Sequence, residues 1–543
     1  MTRTAVVPFG ALVALTLLGF FLFPGHTWLQ QDTQIYVAIL QHLRDPSVLA
    51  RDIVATRPHV SYTLYDEVAR AIPLDFRYTL VSEQLLTRLA ALAGVFLIAL
   101  RLDHDRWLAL LAAAAFGLGA AVRGPEVLTF EYESVPRGLA VSLLFFALGL
   151  IAWDRWLPAG VVGAVAFLLH PPTALPFWAV AVFIWLVTNR VQNAERFLAP
   201  VAAAIVLLFI AARLQTGRTE AQHLLTVIDP EWERLMRLRA TYNWLSMWPV
   251  YWLWHYPLMT VVGLGALWRL RHELPRPVAL FGAGLAVFGL LMMPVSYVVM
   301  EHFHWSAMAS YQPARAVLFC SAFAMLFGAV AALRAPTLWE SFLWFLPVYL
   351  LPVNEGLVFG PATAWQRAAL IVGFAALSAW ASRRRVAIAA AAVLPYLLIP
   401  TWGEVRHYPQ LHSTELRELS EWAKVNTEKD RVFLFAGFAR SNVAGIFRAE
   451  GQRALYVDWK GGGQVNLLRG FAFEWWERWQ KAESEKYDAG KDYAALGIDY
   501  VVAPPEQAGS GTVYRNTRYA VIMTRGRNPL PGVKEPTPGR PGG

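Results

Sequence analysis

The sequence predicts a polytopic α-helical membrane protein of about 13 transmembrane helices with a small C-terminal α/β domain. Three observations point there. Hydrophobic residues make up 56% of the 543-residue chain and charged residues only 16%, with a mean hydropathy of +0.38; soluble domains carry about a quarter charged residues. Apolar stretches long enough to cross about 30 Å of hydrocarbon recur from the N-terminus to residue 402. Every lysine lies at or beyond Lys424, so the last part of the chain has the composition of a soluble domain.

The first stretch, AVVPFGALVALTLLGFFLF, is too long for a signal-peptide core and is followed by FPGHTW rather than a small-residue cleavage site, so it reads as a retained helix over 5–23. Further spans are expected near 80–100, 107–122, 138–152, 157–169, 173–187, 197–213, 247–268, 277–299, 315–333, 337–353, 363–381 and 386–402. With Arg3 cytoplasmic, the turns RLDHDR, WDRW, NRVQNAER, RLRHELPR, LRAP and SRRR all fall inside, as the positive-inside rule requires. The longer segments 24–79, 123–137, 214–246 and 300–314 and the C-terminal domain then lie outside. The HPPT stretch at 170–173 breaks the chain between two short spans, because proline cannot continue a helix.

In the outer segment 24–79, Ile35, Tyr36, Ile39, Leu40 and Leu43 recur at helical spacing before DPS ends the run. Shorter repeats of the pattern at 47–57 and 61–72 suggest interfacial helices that roof a cavity. Residues 405–525 alternate helical runs, opening at Ser413 or Thr414, with the strand-like RVFLFAGF, ALYVDW, DYVVAP and YAVIMT. The domains are therefore 1–404 in the membrane, 405–525 as a soluble α/β unit, and a proline- and glycine-rich tail at 526–543 expected to be disordered. The net charge of +9 is explained by arginines in the short turns, which makes the lipid bilayer the partner and excludes nucleic acid. A single cysteine, Cys320, rules out an intrachain disulfide and a cysteine metal site.

The outer acids are the candidate chemistry. Asp32 is the first acid of the chain, standing just before TQIYVAIL. Such an acid can cap the helix through the backbone N–H of Gln34 or Ile35, or act as a general base. In EYESVPRG, Glu131 and Glu133 alternate and would share one face of an extended segment, and Arg137 heads the next span. Arg137, and Arg315 in SYQPARAV, are either interface anchors or phosphate holders with a planar fork of donors. His170 ends a helix and could face a phosphate. Glu301, His302 and His304 in EHFH are the one set of possible metal ligands, at a spacing that surface histidines also adopt. The stretch YVDWKGGGQVNL has glycines after a lysine but lacks the order of a phosphate-binding loop, and its aromatic neighbours fit either packing or a sugar surface.

This pattern resembles the GT-C superfamily of integral membrane glycosyltransferases, and within it uncharacterised bacterial membrane proteins, over residues 5 to 402. QQDTQIYVAIL, EYESVPRG and RALYVDWKGGG carry the resemblance. It implies a bacterial inner-membrane protein with a cytoplasmic N-terminus and an extracytoplasmic C-terminal domain. It also implies sugar transfer from a polyprenyl-phosphate donor to a glycan, lipid or protein acceptor. Asp32 matches the family's first-loop acid and is expected to be the base, which in direct displacement gives inversion. Glu131 or Glu133 would orient the acceptor, and Arg137, Arg315 and His170 would hold the phosphate. The resemblance fixes no cofactor and admits a divalent metal. Many relatives carry paired acids where this chain has a lone Asp32 between Gln31 and Thr33. Two other readings compete: a noncatalytic assembly protein on the same fold, and a transporter of lipid-linked glycans. The second would need polar residues inside the spans.

Overall fold

A computed structural model describes residues 3–56, 63–188, 194–214, 226–354, 363–402, 411–438, 440–482 and 487–524. Helices occupy the apolar segments from Arg3–Phe21 to Ile388–Trp402. Among the described residues, six helices are long and apolar enough to cross a membrane, Phe76–Leu102, Pro171–Thr188, Ala194–Leu214, Arg276–His302, Ser306–Leu333 and Arg385–Trp402. Shorter apolar helices, including Pro136–Ala152 and Trp156–Leu169, pack beside them. The chain is a multi-pass membrane protein.

Leu318–Leu333 is buried along its whole length and forms the axis of the core, with Phe319, Phe323 and Phe327 stacked along it. The helices Phe76–Asp103 and Pro136–Ala152 meet backbone to backbone. A Cβ on Gly94 would lie 2.2 Å from the Phe145 carbonyl oxygen, and one on Gly149 would lie 2.6 Å from the Gly94 Cα. Such contacts matter between apolar helices, where van der Waals packing has to replace the hydrophobic effect.

The run expected at 107–122 stops sooner. Its helix ends at Gly117, because Thr129 Oγ1 takes the Ala120 N–H (2.7 Å) and Ala121–Val122 pairs antiparallel with Val127–Leu128. This short hairpin replaces the last turn of the helix.

In the first outer segment the helix Thr33–Arg44 forms as expected, but it does not lie free in the interface. Ile35 and Ile39 pack with Trp232 and Trp475, while Val37 and Leu40 pack with Leu416 and Phe447. The expected helix at 47–57 is a series of turns as far as residue 56. Asp52 accepts from the Val54 and Ala55 N–H groups and from Leu455 N–H, offering the backbone an alternative to a helix. The third expected helix shrinks to Tyr65–Ala71.

Beyond residue 411 the chain forms a five-stranded sheet in the order Ala454–Leu455, Val432–Phe435, Tyr500–Ala503, Ala520–Met523, Thr512–Arg515. The first three strands are parallel and the remaining pairings antiparallel. Ser413 opens the helix Thr414–Asn426, its Oγ accepting from Leu416 N–H at 3.2 Å. The strand Thr512–Arg515 was not expected, and Ala494–Leu496 form a turn of 3₁₀-helix. The boundary at 404 and the tail 526–543 lie outside the described residues.

Candidate functional site

The site begins at the start of the helix Thr33–Arg44. Asp32 stands at its N-cap but makes no capping bond. Glu133 reaches in instead. Its Oε1 accepts from the N–H groups of Gln30 (2.6 Å) and Gln31 (2.9 Å), and its Oε2 from Thr33 N–H (3.0 Å) and Thr33 Oγ1 (2.7 Å). A carboxylate at a helix N-terminus satisfies its unpaired donors and meets the positive end of its dipole. Capping is thus supplied from the second outer loop, and Asp32 is released from it.

Asp32 is engaged elsewhere. Its Oδ2 lies 2.7 Å from Arg137 and its Oδ1 2.7 Å from Lys460. Burial alone would raise its carboxyl, but the Lys460 ammonium and the Arg137 guanidinium outweigh burial and hold it well below the usual carboxylate range. Arg137, in the first turn of its helix after Pro136, also donates from Nε to Glu131 Oε1 at 2.7 Å. The same Glu131 oxygen accepts from Leu128 N–H at 3.2 Å. Glu131 and Glu133 therefore do not share a face: one holds an arginine and the other a helix end, because 129–135 is irregular chain rather than a strand.

Lys460 comes from the C-terminal segment and is placed by a buried ion network. Arg448, fully buried, lies 2.7 Å from Asp458 and 3.7 Å from Asp52. Asp458 in turn accepts from Gly461 N–H at 2.8 Å, fixing the chain on either side of Lys460. A second buried arginine, Arg88, sits inside the helix Phe76–Asp103 and donates to the carbonyls of Gly25 and Glu131. It ties the two outer loops together and places a charge within a span.

Asp32, Arg137 and Lys460 open onto a cavity of about 930 Å³ between the helical body and the C-terminal segment. Asp32, Glu126, Glu131, Glu133, Arg137, Tyr242, Arg315 and Lys460 form part of its wall, and Phe167, Pro171, Pro172, Leu175 and Ala212 bring apolar helix surface to it. His170 also lines it, with Nδ1 accepting from the Thr173 N–H at 3.2 Å. Arg315 stands in the 3₁₀ turn Pro313–Val317, its guanidinium 5.1 Å from the Tyr242 ring centre. Its buried Nε has no hydrogen-bond partner, and no ion pair reaches it among the described residues. Asp66 faces the cavity too, and burial, followed by Glu67, pushes its carboxyl up to about 7.

Glu301, His302 and His304 do not line this cavity and do not converge. Glu301 accepts from Ser246 N–H at 3.0 Å, His304 Nε2 faces Glu233 at 3.2 Å, and His302 packs edge-on against Phe303. Among the described residues no three His, Cys, Asp or Glu side chains form a metal-binding group. Asp32 does not fit a divalent ion either, because both its oxygens already meet cations.

Of the expected site residues, Asp32, Glu131, Glu133, Arg137, His170 and Arg315 share one cavity. Lys460 was missed; its only signal was a lysine before three glycines, and that pattern does not say what the lysine faces. Glu126 and Tyr242 were not singled out from their surroundings.

No family model and no curated protein matches the chain. Among solved structures it is similar to ArnT from Cupriavidus metallidurans in the apo state, with a TM-score of 0.47 and 12% identity over 95% of this chain and 97% of that one. It is similar to the oligosaccharyltransferase AglB from Archaeoglobus fulgidus, solved with an inhibitory peptide and a dolichol-phosphate, with a TM-score of 0.44 and 11% identity over 93% of this chain and 70% of that one. A third similarity is to the arabinosyltransferase EmbB from Mycobacterium smegmatis, with a TM-score of 0.38 and 15% identity over 74% of this chain and 41% of that one.

Proposed function

We propose that the protein transfers a sugar from a polyprenyl-phosphate donor to an acceptor glycan, lipid or protein at the outer face of a bacterial inner membrane. The observation that carries this reading is Arg315, a guanidinium on the cavity wall whose buried Nε has no hydrogen-bond partner and which no ion pair engages among the described residues. An enclosed cation without a partner is costly unless a ligand supplies one. Arg137 and Lys460 add two more cations on the same cavity, next to apolar helix surface suited to a lipid tail. Three cations would stabilise the negative charge that grows on the departing lipid phosphate in the transition state.

Asp32 belongs to this machinery as the group that holds Arg137 and Lys460 together. With both oxygens on cations and its carboxyl held strongly acidic, it suits that task better than the base role the resemblance implies. No step requires a metal.

Binding of polyprenyl monophosphate to the full chain in lipid nanodiscs tests the reading. The native protein is expected to prefer it strongly over uncharged polyprenol, and Arg315→Ala should weaken binding about 10–100-fold, the worth of a lost hydrogen bond to a charged group. Equal binding of phosphate and alcohol would sink the proposal and favour the noncatalytic assembly reading.

A further inference from the structure

We propose that Glu126 is the catalytic residue that takes the proton from the acceptor hydroxyl. The assignment rests on the transfer reading above. In a direct displacement the attacking and leaving oxygens lie on opposite sides of one anomeric carbon, so the base shares the cavity with the phosphate-holding cations without being ion-paired to them. In inverting glycoside hydrolysis the two carboxyl groups likewise stand about 6.5–9.5 Å apart, which leaves room for the attacking water. Asp32 sits directly on two of those cations. Glu131 is spent on Arg137 and the Leu128 N–H, and Glu133 on the helix start. Asp66 opens to the cavity, but the charged groups that face it are Glu67 and Arg70, away from the cations.

Glu126 remains. It lies in the turn between Ala121–Val122 and Val127–Leu128, exposed to the cavity while Pro125 and Val127 on either side are buried. No hydrogen bond or ion pair engages it among the described residues. Its backbone is left-handed, φ 53°, a strained state for a residue with a side chain that functional sites often retain. The turn is fixed by Gly124, φ 85°, where a Cβ would lie 2.7 Å from the Trp248 ring. The charged groups that face Glu126 are Arg315, Lys460, Asp32 and Arg137. Enclosure raises its carboxyl above the ordinary value, with Arg315 and Lys460 opposing, which moves it toward the range useful to a base. The bond from acceptor oxygen to anomeric carbon forms as the carbon–oxygen bond to phosphate breaks. The electron pair leaves with the polyprenyl phosphate and the proton passes to Glu126.

The test uses the full chain in nanodiscs, a panel of polyprenyl-phosphate sugars for turnover across pH, and polyprenyl monophosphate for binding. Glu126→Gln is expected to lower turnover about 10²–10⁴-fold while leaving monophosphate binding intact. Glu126→Asp should keep part of the activity and move the acidic limb of the pH profile. Glu126→Gly suits the backbone and controls for folding; it should lose turnover without losing thermal stability. Wild-type turnover in Glu126→Gln overturns the assignment alone. So does an acidic limb that disappears in Asp32→Asn and persists in Glu126→Gln, which would make Asp32 the base. If the native protein transfers sugar from no donor, the transfer reading falls and takes this assignment with it.

Discussion

The cavity has two kinds of wall. Where the first outer loop meets the C-terminal segment the charges are paired: Asp32 lies on the cavity between Arg137 and Lys460, and behind Lys460 the buried Arg448 lies between Asp52 and Asp458. On the hairpin Ala121–Leu128 and the turn Pro313–Val317, Glu126 and Arg315 face the same space with no hydrogen-bonding or ion-pairing partner among the described residues. The difference separates charges that hold the shape from charges left open to the cavity. A paired wall is expected to lose stability when a member is removed, and an unpaired wall to lose function while stability holds or improves.

The largest effect should come from breaking the paired wall. Arg448→Met strands two buried carboxylates and is expected to cost about 3–5 kcal/mol, read as a lowered unfolding temperature in nanodiscs. An unchanged midpoint would mean that the network does not carry the wall.

Next in size is the pH dependence set by Asp66. Its carboxyl is pushed up to about 7 in the folded protein, so the folded state binds this proton more tightly than the unfolded chain does. Its penalty is absent below the unfolded value, grows as pH rises from about 4 to about 7, and is constant above; over that window it amounts to about 2–4 kcal/mol. Unfolding temperatures should therefore fall more steeply between pH 5 and pH 7 (about two pH units) in the native protein than in Asp66→Asn. Parallel curves would remove Asp66 from the unpaired set.

The smallest effect sharpens the comparison most directly. Arg315→Met should raise stability by about 1 kcal/mol, because it deletes an enclosed charge and adds apolar contact. A clear loss of stability would show that Arg315 is structural and belongs with the paired wall.

Much of the helical body was legible in the sequence because apolar length and arginine turns are local signals. What was not legible depended on partners far away in the chain. Asp32 reads as a cap from its own neighbours, and only the approach of Glu133, 100 residues from Thr33, supplies that cap from elsewhere. The turns at 47–56 look helical by spacing, yet Asp52 spends its carboxylate on Val54, Ala55 and Leu455. Arg137 and Arg315 could be picked out by their position at helix starts. Lys460 could not, since a lysine before a glycine run is equally at home on any surface. Glu126 carries no motif; its distinction is a backbone angle and an empty neighbourhood, and neither is written in residue order.

The contact between Lys460 and Asp32 spans 428 residues of chain. At a synthesis rate of about 5–20 residues per second, Asp32 is made roughly 20–90 s before the lysine that completes its group, and Arg137 also precedes that lysine. For that interval the growing protein holds an acid and an arginine but no finished pocket, so a product cut short before Lys460 would reach the membrane with the cavity wall incomplete. Completion of the chain thus acts as a check on assembly, with the last part made closing the site begun by the first.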